Sequence, residues 1–202
     1  MTTKYIAFDI GGVLVDNIED EIEKTLSGLI GIEPEKFRRI GGRYKNQTSI
    51  GNLTLSDYYN TILEELGIYS TTPKELLDAH LEVHKRILAS KDERLTSLIS
   101  ILKLKCGIVS LSNIQYEIME ATRNCGLYDI FDKNFLSWEM KKMKPNSDIY
   151  IEMLKELHAV PNEVIFIDDL NINIGTARRL GIPSIRYKNY ENMKLELEAL
   201  LS

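Results

Sequence analysis

The 202-residue chain is poor in cysteine, with two, and in tryptophan, with one; it has five prolines and three histidines. Cys106 opens an apolar run and Cys125 precedes Gly126, and the two form neither a zinc-ligand nor a redox spacing, so two buried or idle thiols are expected. No apolar run approaches the roughly 18 residues needed to cross a bilayer. Positive charge is not in excess: 25 Lys and Arg against 30 Asp and Glu leave a net charge of −5. Duplex binding is largely phosphate neutralisation by Lys and Arg, so this balance argues against a nucleic-acid partner. Thr2-Thr3-Lys4 leads directly into an apolar strand, leaving no room for a signal peptide, and a cytoplasmic protein without membrane partners is expected. Neither repeats nor low-complexity tracts interrupt the chain.

What is present is the composition of a globular protein, 44% hydrophobic and 27% charged, arranged as strands and helices in alternation. The run Lys4-Tyr5-Ile6-Ala7-Phe8 reads as a strand buried on both faces, and it ends on Asp9-Ile10-Gly11-Gly12. A carboxylate and two glycines at that point require a sharp turn, and the carboxyl end of a strand in an open α/β sheet is where ligands bind. Cys106-Gly107-Ile108-Val109-Ser110-Leu111 is a second buried strand, ending at Ser112-Asn113. Val164-Ile165-Phe166-Ile167 is a third, ending at Asp168-Asp169, and Met143-Lys144-Pro145 places a lysine before a helix start.

Between the first two strands the period becomes helical. Ile18, Ile22, Leu26 and Leu29 share one helix face; Glu33-Pro34 opens a new segment; residues 37–51 read as irregular and polar. Ser56 reads as the N-cap of a helix through Leu66, and Pro73 opens another with Leu76, Leu77, Leu81, Ile87 and Leu88 inward. His80 and His84 are spaced i, i+4 as in metal-binding pairs, but Glu82 does not complete His-Glu-x-x-His, and a half-exposed helix face is expected. Past residue 91, helices follow around Leu95–Leu102, Ile114–Asn124, Ile149–Leu157, Thr176–Leu180 and Glu191–Leu201, with short strands at Asn134–Ser137 and Ser184–Tyr187. Such alternation predicts a doubly wound parallel sheet with right-handed crossovers.

The order strand-Asp9, strand-Ser112, Lys144-Pro145, strand-Asp168-Asp169 resembles the haloacid dehalogenase superfamily of phosphohydrolases, and its four motifs bracket nearly the whole chain. The small sugar-phosphate phosphatases, such as the glucose-1-phosphate phosphatases, are the nearest in pattern, sharing Asp-x-Gly-x-Val and Leu-Ser-Asn. The resemblance implies a Rossmann-like core, residues 1–16 and 91–202, and a helical cap, residues 17–90, over the site. It implies Asp9 as the nucleophile that forms an aspartyl-phosphate, and Mg2+ held by Asp9, the Gly11 carbonyl and Asp169. Asp168 and Asn173 stand behind those ligands, Asn173 orienting a water or Asp169. It further implies Lys144 as the charge-neutralising cation, and Ser112 and the Asn113 backbone amide as phosphate donors. The spacing from Ser137 to Lys144 supports the lysine assignment. Lys141 and Lys142 read as a solvated basic patch, Trp138 as a residue that lines the pocket mouth or packs, and Arg43, Tyr44, Lys45, Asn46 and Gln47 as specificity candidates.

One position departs from the family pattern. Most of its phosphatases carry a second Asp two residues after the nucleophile, and here that residue is Gly11, which cannot transfer a proton. The expected substrate is therefore a small phosphorylated metabolite, a sugar phosphate with a good leaving group. Asp16 is a weak candidate for a replacement acid. A metal-free dehalogenase and a catalytically weak binding member of the fold are the competing readings.

Overall fold

In the computed structural model, residues 3–89 and 91–202 are described. Five parallel strands, β1 (Tyr5–Phe8), β2 (Gly107–Ser112), β3 (Lys133–Leu136), β4 (Val164–Asp168) and β5 (Ser184–Arg186), lie in the order β3-β2-β1-β4-β5. The first strand in sequence is thus the central one, which is the expected doubly wound arrangement. Alternation decides which side chains go where. Ile6 and Phe8 of β1 with Ile165 and Ile167 of β4 enter one apolar cluster; Ala7, Val164 and Phe166 enter the other.

Five helices lie between β1 and residue 90: α1 (Glu19–Leu29), α2 (Pro34–Gly41), α3 (Lys45–Ser49), α4 (Leu55–Leu66) and α5 (Pro73–Leu88). Six further α-helices among the described residues are α6 (Glu93–Leu102), α7 (Tyr116–Asn124), α8 (Ser137–Met140), α9 (Ser147–Glu156), α10 (Asn171–Arg179) and α11 (Tyr190–Leu201). Helices α9 and α10 cover one sheet face through Ile149, Tyr150, Met153 and Ile174. Helices α6, α7 and α11 cover the other through Leu95, Ile99, Ile118 and Met193, in a cluster continuous with Leu26, Phe37, Tyr59 and Leu76 of the inserted helices. The Asp92 amide donates to the Leu14 carbonyl at 3.0 Å, so the chain returns from the insert beside the turn from which it left. Ser90, at the expected boundary, lies outside the described residues.

Several local expectations are corrected. Residues 37–51 are largely helical, because Phe37 and Ile40 turn inward from α2 while its charged residues face solvent. Helix α4 is capped by Thr54, not Ser56: the Thr54 hydroxyl accepts from the Asp57 amide at 3.0 Å, which places Ser56 within the first turn. Leu29 is exposed and Ile30 takes the inward place. Helix α10 begins at Asn171, directly after the Asp168-Asp169 strand end, five residues before Thr176.

Candidate active site

Parallel register brings the functional strand ends together. Phe8 pairs with Ser110 on one side and Ile167 on the other, and the Asp9 amide donates to the Ile167 carbonyl at 2.9 Å. Asp9 therefore emerges between Ser112 and Asp168. Lys144 reaches the same point from the segment before α9, with its side chain buried. Its Nζ lies 2.9 Å from Asp9 Oδ1 and 2.7 Å from Asp168 Oδ2. The Ile10 amide also donates to Asp9 Oδ1, at 2.8 Å, while Asp9 Oδ2 has no hydrogen-bond partner among the described residues.

Asp168 is fully buried and fully engaged. Besides Lys144, it accepts from the Leu170 amide at 2.8 Å and from Asn173 Nδ2 at 3.0 Å on both oxygens. Asn173 thus orients Asp168, not Asp169 or a water as the resemblance implies. The reason is that α10 starts early enough to swing Asn173 back over the end of β4. Asp169, by contrast, is half-buried and faces the turn after β1. Gly12 has φ +75°, and a Cβ built there would overlap the Asp169 carboxylate. At Gly11 a Cβ would meet nothing within 4 Å.

Three carboxylates and one ammonium leave this site short of positive charge. One oxygen from each of Asp9, Asp168 and Asp169 lies within 4.8 Å of the others. The Asp9 carboxyl is raised to about 7: burial pushes it up, Lys144 pulls it part of the way back and Asp168 pushes it up again. Burial and then Asp168 also raise the Asp169 carboxyl. On Lys144 burial opposes the charge, but Asp9 and Asp168 outweigh it and hold the ammonium above its ordinary value. A hard divalent cation on Asp9 and Asp169 fits this donor set, since every available ligand is oxygen and the charge it brings is the charge that is missing.

Ser112 is buried, lines the site, and its hydroxyl makes no hydrogen bond among the described residues. Asn113 does something sequence reasoning missed. Its side chain donates from Nδ2 to the Lys144 carbonyl at 2.8 Å and accepts at Oδ1 from the Lys144 amide at 2.9 Å. Nothing local signals this, because the partners are 31 residues apart.

These groups open into a cavity of about 260 Å³ whose opposite wall is the helical insert, including Leu26, Phe37, Tyr58, Tyr59, His80 and His84. His80 and His84 are buried, which corrects the half-exposed face expected of them: Tyr59 and Thr122 supply the hydrogen bonds that make burial tolerable. Of the five specificity candidates only Lys45 lines the cavity. Arg43 and Tyr44 turn away to bind Glu65, and Gln47 accepts from Asn52 at 2.9 Å. Trp138 packs under Lys141 Nζ, 4.0 Å from its ring centre, and against Tyr116, while Lys142 reaches Glu152 at 3.4 Å. Lys141 remains exposed and Lys142 partly so, each with one partner. Ser137 is a tie between parts, donating to the Ser49 carbonyl of the insert at 2.7 Å and accepting from the Ile114 amide at 2.9 Å.

Residues 6–187 match the family described as haloacid dehalogenase-like hydrolase. The chain belongs to that family. A D-ribitol-5-phosphate phosphatase of Bacteroides thetaiotaomicron is 27% identical over 98% of both chains. A sesquiterpene phosphatase of Aspergillus oryzae is 26% identical over 99% of this chain and 97% of its own. Among solved structures, a haloacid dehalogenase (HAD) family enzyme from B. thetaiotaomicron in complex with magnesium and inorganic phosphate superposes with a TM-score of 0.75. It is 25% identical and covers 92% of this chain and 94% of its own. The L-2-haloacid dehalogenase of Xanthobacter autotrophicus shares the fold at a TM-score of 0.67 and 21% identity, covering 98% of this chain and 83% of its own. This HAD-like chain therefore has phosphatases among its full-length relatives.

Proposed function

We propose that the protein is a magnesium-dependent phosphatase of a small phosphorylated carbohydrate or polyol, acting through an aspartyl-phosphate on Asp9. The observation that carries this is the buried Lys144 ammonium joining Asp9 to Asp168 while Asp9 Oδ2 is left without a hydrogen-bond partner among the described residues. One carboxylate oxygen is held and the other is available, which is what a positioned nucleophile needs. The magnesium-bound relative supports the choice of ion and the ribitol-5-phosphate phosphatase that of a polyol or sugar ester, while the sesquiterpene phosphatase supports phosphatase activity alone. They favour it over a metal-free dehalogenase, as does the half-buried Asp169 beside Asp9, a second acid in a site already short of positive charge.

In this reading magnesium, held by Asp9, Asp169 and the Gly11 carbonyl, would neutralise charge between the carboxylate and the incoming phosphate. Asp9 attacks phosphorus, an Asp9–phosphorus bond forms and the bond to the leaving oxygen breaks. Ser112 and the Asn113 amide hold the non-bridging oxygens, and Lys144 balances their charge. Gly11 offers no proton, so the leaving oxygen takes one from water or from the substrate, which favours good leaving groups such as an anomeric hydroxyl. Water then attacks phosphorus, phosphate departs and Asp9 is regenerated. Residues 17–90 act as a cap over residues 1–16 and 91–202, excluding water while the charges move. The test is magnesium-dependent phosphate release from a panel of phosphorylated sugars and polyols. Asp9→Asn should abolish it, and beryllofluoride with magnesium should give a stable fluorine resonance with wild type alone. Full turnover in EDTA, or in Asp9→Asn, would overturn the proposal.

A further inference from the structure

The wall opposite Asp9 carries two histidines whose inner nitrogens are occupied and whose outer ones are not. His84 Nε2 lies 2.8 Å from Thr122 Oγ1, and the Thr122 hydroxyl donates its single proton to the Ile118 carbonyl at 2.8 Å. Thr122 is left to accept, so His84 carries its proton on Nε2 and presents a lone pair at Nδ1. His80 Nδ1 lies 2.6 Å from the Tyr59 hydroxyl, whose proton has no other acceptor among the described residues. Tyr59 therefore donates to Nδ1, and His80 carries its own proton on Nε2. Neither outer nitrogen has a protein partner among the described residues. Neither is sealed off: the sealed and unpaired side-chain atoms among the described residues are Glu117 Oε2 and the Tyr128 hydroxyl. Both histidines line the cavity.

Positions i and i+4 share one helix face, so α5 offers the cavity a donor from His80 and an acceptor from His84, in a wall whose charged members are Glu19, Glu23 and Lys45. Burial, with His84 and Lys45 nearby, pushes His80 down to about 3, and burial pushes His84 down to about 4, so both rings are neutral at physiological pH. A neutral pair suits neither a phosphate nor a carboxylate. Metal binding is also disfavoured, because each ring is already tethered to a hydroxyl and no carboxylate or thiol stands with them in a ligand cluster among the described residues. A group that both accepts and donates satisfies the two nitrogens together, and on the organic portion of a sugar or polyol phosphate that group is a hydroxyl.

We propose that His80 and His84 are specificity residues that read hydroxyl groups on the alcohol portion of the substrate, His80 Nε2 donating to one and His84 Nδ1 accepting from the same or the neighbouring one. This rests on the phosphatase reading for what occupies the cavity. An occupant without hydroxyls would leave two buried polar atoms unpaired, and sites of that kind reject the deoxygenated analogue strongly.

His80→Asn and His84→Gln each keep the inner hydrogen bond, the Asn carbonyl accepting from Tyr59 and the Gln amide donating to Thr122, while removing the outer nitrogen. The measurement is kcat/KM on ribitol, arabinitol and xylitol 5-phosphates against n-pentyl phosphate, which has the same chain length and the same kind of leaving oxygen. Wild type should prefer the best pentitol ester by tenfold or more, and each variant should bring that ratio down toward one. An unchanged ratio in both variants, or a wild-type preference for pentyl phosphate, overturns the proposal while leaving the phosphatase reading intact. Calorimetric binding of the free pentitols, against 1-pentanol, is the second measurement. If neither ester is hydrolysed, pentitol binding that both variants lose sustains the pair and absence of such binding sinks it, while the phosphatase reading stands or falls on the wider panel of sugar phosphates.

Discussion

Asn113 and Lys144 are joined by two hydrogen bonds, the Asn113 side chain taking the Lys144 amide and giving to the Lys144 carbonyl. The end of β2 thereby fixes the backbone from which the central ammonium projects. Removing the side chain in Asn113→Ala leaves a buried amide and carbonyl without partners, at a cost of about 1–3 kcal/mol each when left unsatisfied. The expected result is a lowered melting temperature together with a fall in kcat of about ten- to a hundredfold, the usual range for a residue that orients a working group. A change in KM alone, with kcat unmoved, would show that Lys144 holds its place unaided.

The two acids at the end of β4 should fail differently. Asp169 is half-buried against Gly12, so Asp169→Ala should remove magnesium binding in calorimetry and turnover with it, while the fold survives. Asp168 is fully buried with Lys144, Leu170 and Asn173 on it, and breaking a buried pair typically costs about 3–5 kcal/mol. Asp168→Ala should therefore show first in thermal melting. Retained magnesium affinity in Asp169→Ala would reverse the assignment.

The two adjacent glycines should tolerate side chains unequally. Gly12→Ala would drive a methyl into the Asp169 carboxylate from a φ of +75°, and magnesium-dependent activity should be lost. Gly11→Asp meets open space. A positioned acid contributes typically 10²–10⁴-fold, so Gly11→Asp should speed a primary phosphate ester more than an anomeric one of the same sugar. In wild type the anomeric ester should be the faster. A wild-type preference for the primary ester by tenfold or more would mean that another residue supplies the proton.

His80 and His84 should make the fold acid-sensitive. Both are held below their ordinary 6.5, to about 3 and about 4, so the unfolded chain binds protons that the folded one refuses, and stability falls as pH drops below 6.5. Between pH 7 and pH 5 this amounts to about 2 kcal/mol per histidine. The raised carboxyl of Asp9 acts in the opposite sense, so the comparison must be between proteins. The melting temperature of His80→Asn should drop by about 4–8 °C less than that of wild type over this span. Parallel curves would mean that His80 takes up its proton in the folded state.

Selectivity should respond to Lys45 and not to Arg43. Lys45 lines the cavity, whereas Arg43 is paired with Glu65 on the far side of the insert. Lys45→Ala should alter the ranking of substrates in a phosphate-release panel, and Arg43→Ala should leave the ranking as it is.

Much of this was written along the chain. Short apolar runs rich in β-branched residues read as interior strands, and Asp9, Ser112 and Asp168-Asp169 stand where such runs stop, so the parallel sheet and its crevice followed from local pattern. Gly11 marked the missing acid in the same way, because a residue without a side chain has no proton to give. Other features depended on what packs against what. Residues 37–51 became helical because Phe37 and Ile40 found a buried face, and Arg43 was lost to the site because Glu65 lies on its side of the insert. Asn173 met Asp168 because α10 began five residues earlier than expected. The Asn113–Lys144 clamp and the histidine tautomers leave no trace in spacing: hydrogen bonds between residues far apart in sequence form only once the sheet has set their distance and burial has made an unpaired polar atom costly.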